Sequence, residues 1–140
     1  MFIIGLDNGF YVKSNKRKIT REMLPSIIKY PFQKDYDGNV EIVYWRKNWG
    51  LRNCIMAEFG WYTSPEDQYK FEIDTPDQVL TIIEIISSFL NREKWESDSQ
   101  SIWSYDEIKP VLLQNIINFV AIKIFMDENP DVYLEFYDSY

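Results

Sequence analysis

The sequence predicts an α+β fold, with a small, mainly antiparallel sheet packed against three to four helices. Three observations lead there. Residues 40–45 form a run of β-branched and aromatic side chains, which suits a strand. Two stretches open with complete helix-start patterns, Thr75-Pro-Asp-Gln78 and Ser104-Tyr-Asp-Glu107. Each is followed by a long apolar run at helical spacing. A length of 140 residues fits a single domain spanning 1–140.

Taken in order, residues 2–6 read as a strand and 10–12 as its return. Asn8-Gly9 between them is a hairpin signal, because both residue types tolerate positive φ. Residues 13–18 are a solvated basic loop. Thr20 is placed to cap a short helix over 21–30, although Pro25 suits it only in a first turn. Asp37-Gly38 predicts a turn within 35–39, and 40–45 is the next strand. From Leu51 the apolar spacing changes to three and four (Leu51, Cys54, Ile55, Phe59), predicting a helix with Asn48 at its N-cap and Gly60 as its stop.

Residues 62–68 are polar and loop-like, and 69–73 alternates as a strand. The first capping box opens a helix over 76–91, with Pro76 at its first position and Asp77 in its first turn. Residues 92–101 read as a polar loop, the best candidate for a mobile segment. The second capping box opens a helix over 105–126, and Pro110 should fall in its first turns. Residues 132–140 alternate and are expected as an edge strand or a docked tail.

Composition narrows the function. With no histidine, the chain lacks the usual base near neutral pH and the usual partner of a nucleophilic Ser or Cys. Cys54 is the single cysteine, so no internal disulfide can form. There is no phosphate-binding glycine loop, no nucleophile elbow and no EF-hand spacing among Glu66, Asp67, Glu72, Asp74 and Asp77. No metal or other cofactor is expected, and a binding protein is favoured over an enzyme. No signal sequence is read at the start, and the apolar runs near 79–90 and 111–126 are broken by Glu84, Gln114, Asn115, Asn118 and Lys123. They are expected as core helices of a cytoplasmic protein without a membrane span.

Charge is divided unevenly. Residues 1–53 hold ten Lys/Arg against five Asp/Glu, and 54–140 hold five against seventeen, so the halves carry +5 and −12 within a net −7. An acidic second half repels nucleic acid and favours a basic protein partner. Aromatic residues make up 17% of the chain, enough to leave some Tyr and Trp at a binding surface. Nothing in the sequence sets the oligomeric state.

The candidate site is Tyr44-Trp45-Arg46-Lys47 with Arg52. Strand alternation puts Tyr44 and Arg46 on one face and Trp45 on the other. A helix starting just after would add its free N–H groups, making an anion-binding corner with Arg46 and Arg52. The competing expectation is that Arg46 pairs internally with Asp7 or Asp106 and locks strand to turn. Asp7, Tyr105 and Asp106 complete the candidate set.

These stretches resemble an uncharacterised family of small bacterial and phage proteins. Its members begin with a Gly-Leu-Asp segment followed by an aromatic strand. They then carry a Tyr-Trp-Arg-Lys signature leading into a helix. The matching residues are Gly5-Leu6-Asp7 with Phe10-Tyr11, and Glu41-Ile-Val-Tyr44-Trp45-Arg46-Lys47. Arg52 stands where the family has His, and Cys54 where it has Trp. The resemblance implies an architecture more than an activity. Two functions therefore stand. One is a non-enzymatic module that neutralises or inhibits a basic protein through an acidic, aromatic-rich face. The other is an anion- or nucleotide-handling enzyme using Arg46, Lys47, Arg52 and Asp7.

Overall fold

Among the described residues, four strands make one antiparallel sheet in the order β2-β1-β4-β3. They are β1 (Asp7–Ser14), β2 (Val40–Arg46), β3 (Phe71–Ile73) and β4 (Val132–Ser139). Between them lie α1 (Trp49–Glu58), α2 (Pro76–Ser88), α3 (Arg92–Asp98) and α4 (Tyr105–Glu128). The computed structural model describes residues 7–61 and 71–139. The expected strand 2–6, the loop 62–68 and the acids Glu66 and Asp67 lie outside them.

The α+β architecture and the antiparallel sheet are as the sequence predicts. Phe10, Leu134 and Phe136 carry the inner face of the sheet, all essentially without solvent exposure. The Phe10 ring meets Trp45, Phe119 of α4 and Phe136, with centroids at 6.1, 5.2 and 5.0 Å. Such edge-on and tilted pairs add to the burial of each ring. α4 packs along α2 and against β2, while α1 lies on α2 and α3 on α4. By length and composition alone α4 could cross a membrane. In this fold it turns Leu112, Phe119, Ile122 and Met126 into the core.

Both capping boxes form. Thr75 and Gln78 exchange bonds at the start of α2, and Ser104 and Glu107 at the start of α4. Asp37 and Gly38 take positive φ of 53° and 73°, and Asn39 N–H donates to the Tyr36 carbonyl at 3.0 Å. That is the tight turn the sequence predicts. Gly60, at φ 66°, follows α1 as its expected stop.

Four expectations are corrected. Asn8-Gly9 is not a turn. It lies within β1, where Gly9 faces Tyr44 on one side and Tyr137 on the other. A Cβ there would collide with the Val43 carbonyl oxygen and the Glu41 carboxylate, so this glycine serves a close approach rather than a reversal. The helix over 21–30 shrinks to one 3-10 turn, Arg21–Met23, and Thr20 makes no side-chain cap. Leu24 is extended (φ −90°, ψ 159°), as a residue before proline prefers.

The polar loop 92–101 instead contains α3. Asn91 caps it by accepting the Lys94 N–H at 2.9 Å, and its single large apolar residue, Trp95, is buried edge-on against Phe89. Finally, 132–140 is no edge. β4 pairs with β1 along its whole length and with β3 on its other side.

β2 contains a bulge. Phe10 pairs with Val43 and Tyr11 with Glu41, leaving Ile42 as the extra residue. Ile42 and Val43 are both buried as a result. Asn118 of α4 secures the irregularity, donating to the Ile42 and Lys29 carbonyls at 2.8 Å each. Its side-chain oxygen accepts from Lys29 N–H at 3.1 Å and Gln114 Nε2 at 2.8 Å. A polar residue in the middle of an apolar helix is thereby fully bonded.

Candidate functional site

The bulge sets what the outer face of the sheet carries. Strand register places Asp7, Gly9, Tyr11 and Lys13 of β1 on that face, with Glu41, Tyr44 and Arg46 of β2. Tyr133, Glu135 and Tyr137 of β4 and Glu72 of β3 complete it. Without the extra residue, Glu41 and Tyr44 would point to opposite sides.

Glu41 and Tyr137 meet over Gly9, the Tyr137 hydroxyl donating to Glu41 Oε2. The Tyr137 ring stacks on Tyr11 with centroids 4.9 Å apart. Beside them the Tyr44 hydroxyl donates to Asp7 Oδ1 at 2.6 Å, and Phe32 packs edge-on to Tyr44 at 4.9 Å. Lys13 pairs with Glu135 Oε1 at 3.1 Å, while Glu135 Oε2 is buried and meets no partner among the described residues.

Burial governs the electrostatics here. Desolvation pushes the Glu41 carboxyl up to about 7, against the Tyr137 hydrogen bond that lowers it, with the Asp7 charge adding to the rise. Burial, then the hydrogen bond and charge of Asp7, raise Tyr44 to about 12. Tyr137 is driven far up by burial and by Glu41, and Tyr11 is raised by burial and then by Glu41 and Glu135. These phenols stay neutral donors near neutral pH.

Glu41 also lines an open groove of about 470 Å³ beside Phe32, Asp35, Tyr36 and Arg21. Tyr36 is 77% exposed, and Arg21 is engaged by Asp35 at 2.8 Å. Lys34 lines the same groove, but among the described residues no cation forms an ion pair with Glu41, and exposed rings flank its carboxyl. An incoming ammonium or guanidinium would find a counter-charge and aromatic faces together.

The candidate residues are only partly brought together. Tyr44, Trp45 and Arg46 line a cleft of about 410 Å³ with Trp103, Glu107 and Val111 of the α4 start. The Arg46 side chain is exposed and forms no hydrogen bond or ion pair among the described residues. Its carbonyl accepts the Trp103 indole N–H at 2.9 Å. Trp45 points inward as alternation requires, and its indole N–H lies 2.6 Å from the Asn115 side-chain amide, which accepts it with the amide oxygen turned toward the ring. Lys47 follows at φ 56°, past the strand end.

The internal pairings expected for Arg46 are taken by other residues. Asp7 holds Tyr44, and Asp106 pairs with Arg92 at 2.8 Å. Tyr105 donates to the Leu90 carbonyl and lies under the Arg92 guanidinium, 4.5 Å from the ring centroid. Arg52 is also committed. Its Nε meets Asp138 at 3.1 and 3.2 Å, and both side chains are close to fully buried. The expected anion corner is closed as well, because the Gly50 N–H at the start of α1 donates to the Ser99 carbonyl at 2.7 Å. Asn48 turns its side chain to Ser101, accepting its hydroxyl at 2.6 Å, and does not cap α1.

Sequence reasoning therefore missed Glu41, Tyr137 and Tyr11. The alternation of 132–140 contained the needed signal, since Tyr133, Glu135 and Tyr137 share one face. The order of the strands did not, and it is what brings Tyr137 to Glu41. Among the described residues, no cluster of acids or thiols suits a metal ion.

In comparisons with known proteins, no family model and no curated protein matches the sequence, and no solved structure matches the fold.

Proposed function

We propose that this chain is a non-enzymatic binding protein of the cytoplasm that takes a basic protein partner on the outer face of its sheet. By covering cationic side chains of that partner it would neutralise or inhibit it. One observation carries the reading: Glu41 is a carboxyl raised to about 7, opening onto a groove with exposed aromatic rings. A carboxyl with no ion pair among the described residues gains most when a partner supplies a cation. The strand residues of the same face add Asp7, Glu72 and Glu135 to Glu41, against Lys13 and Arg46. The tyrosines supply amphipathic contact area of the kind that dominates binding surfaces.

A second reading rests on Arg46, whose guanidinium stands unpaired among the described residues at the 410 Å³ cleft beside Trp103. That cleft would take a small anion, with the indole as a stacking surface.

Calorimetric titration separates the two. A ten-residue peptide of alternating lysine and serine would be titrated into wild type, Glu41→Gln and Arg46→Ala at two salt concentrations. The first reading expects binding that weakens with salt, falls roughly tenfold in Glu41→Gln and survives in Arg46→Ala. No heat with the peptide, together with inorganic phosphate bound by wild type and lost in Arg46→Ala, would replace it with the second.

A further inference from the structure

α4 leaves a second surface unused by that function. Leu113, Ile117, Val120 and Ile124 are between 40% and 54% exposed, far more than a core helix needs to leave bare. Their spacing of four, three and four places them in one stripe along the helix, the pattern by which two helices pack side by side. Pro25 and Ile27 flank the stripe, and with Ile117, Val120 and Ile124 they line an apolar groove of about 370 Å³. Ile27 is 61% exposed. The groove has almost no polar lining, which excludes a charged or strongly hydrogen-bonding ligand.

The charges at the ends of the stripe identify what covers it. Lys109 precedes Leu113 by one turn, and Asp127 and Glu128 follow Ile124 by one turn; all three are exposed. Lys109 and Glu128 make no ion pair among the described residues, and Asp127 has only a 3.9 Å contact with Lys123. If two copies of the helix lie antiparallel, Leu113 meets Ile124 of the other copy and Ile117 meets Val120. The same register carries Lys109 to Glu128 and Asp127 at both ends. Parallel packing would set like charges against each other.

We propose that the chain forms a two-fold dimer through antiparallel packing of α4 on α4, with Pro25 and Ile27 at the margins. An interface of this kind is isologous, so each copy contributes the same stripe and the assembly closes at two. The stripe lies on the helix side of the sheet, so both acid–tyrosine faces remain available for binding.

Sedimentation equilibrium over a hundredfold range of concentration tests the assembly, and cysteine pairing tests its direction. Wild type should reach twice the monomer mass. Ile117→Glu should stay monomeric with an unchanged circular dichroism spectrum, because the site is exposed. Under mild oxidation, Leu113→Cys mixed with Ile124→Cys should give a crosslinked dimer of the two variants. Leu113→Cys alone should not exceed wild type, since its two copies would lie roughly 17 Å apart along the helix axes at 1.5 Å per residue. A wild type monomeric throughout the range overturns the proposal. So does crosslinking of Leu113→Cys alone, which means parallel packing. Monomers that float with neutral phosphatidylcholine vesicles would assign the stripe to lipid instead.

Discussion

Glu41 and Tyr137 are hydrogen-bonded although their strands are not neighbours. β1 runs between β2 and β4, and the two side chains cross it above Gly9. The absence of one side chain permits the contact. It also sets the half-buried carboxyl on which the proposed function rests.

Gly9 should therefore be intolerant of substitution. In Gly9→Ala the new methyl meets the Val43 carbonyl oxygen, which belongs to the backbone, as well as the Glu41 carboxylate. Forced contact in a packed sheet costs about 1–3 kcal/mol, and the broken Glu41–Tyr137 bond adds to that. Urea denaturation should show a lower midpoint with the slope unchanged.

Glu41 should make stability fall as pH rises. Its folded pKa, about 7, lies above the ordinary carboxylate value of 4.5. Between these values the folded chain holds a proton that the unfolded chain has released, so the stabilisation is complete below about 4.5 and lost by about 7. After discounting for the partial exposure of the group, the loss is about 1 kcal/mol. Glu41→Gln should flatten this part of the profile, measured as denaturation midpoint against pH. A cationic partner would lower the same pKa, so wild type should release protons on binding near pH 7 and Glu41→Gln should not.

Asn118 should be the most costly polar position in α4. Replacement by Leu removes bonds to the Ile42 and Lys29 carbonyls and the Lys29 N–H, leaving the buried Ile42 carbonyl unsatisfied. A loss of about 2–4 kcal/mol is expected from chemical denaturation. Hydrogen exchange at Lys29 should rise more than exchange in β4.

Arg52 should behave as a structural residue. Arg52→Ala strands the Asp138 carboxylate in a nearly buried position and should cost about 3 kcal/mol. Arg52→Lys should recover only part of this, because one ammonium cannot reproduce the bonds made by Nε and the terminal nitrogens. Binding of inorganic phosphate should be the same in Arg52→Lys as in wild type.

Much of the fold could be read from local chemistry. Thr75 with Gln78 and Ser104 with Glu107 start their helices through bonds that reach three residues along the chain. Asp37-Gly38 makes its turn because those two residues accept positive φ. Tyr44 and Trp45 take opposite faces by simple alternation. The site was legible to the extent that Tyr44, Trp45 and Arg46 do line one cleft. α3 was missed because Trp95 alone gives no periodicity, and its helix depends on Phe89 and the Trp103 carbonyl to bury that ring.

Taken alone, the sequence determined the starts of α2 and α4, the tight turn, the alternation of β2, the acidic second half and the lack of histidine. Each is a property of one residue or of neighbours a few positions apart. Only the tertiary structure decided that Asn8-Gly9 lies inside a strand, that β4 is interior, and that Asp7, Arg52 and Asp106 are already engaged. It also decided that Glu41 bonds to Tyr137 and, among the described residues, forms no ion pair. These outcomes join residues up to about a hundred positions apart or more. Such partners are chosen by packing the whole core, and no local pattern encodes that choice.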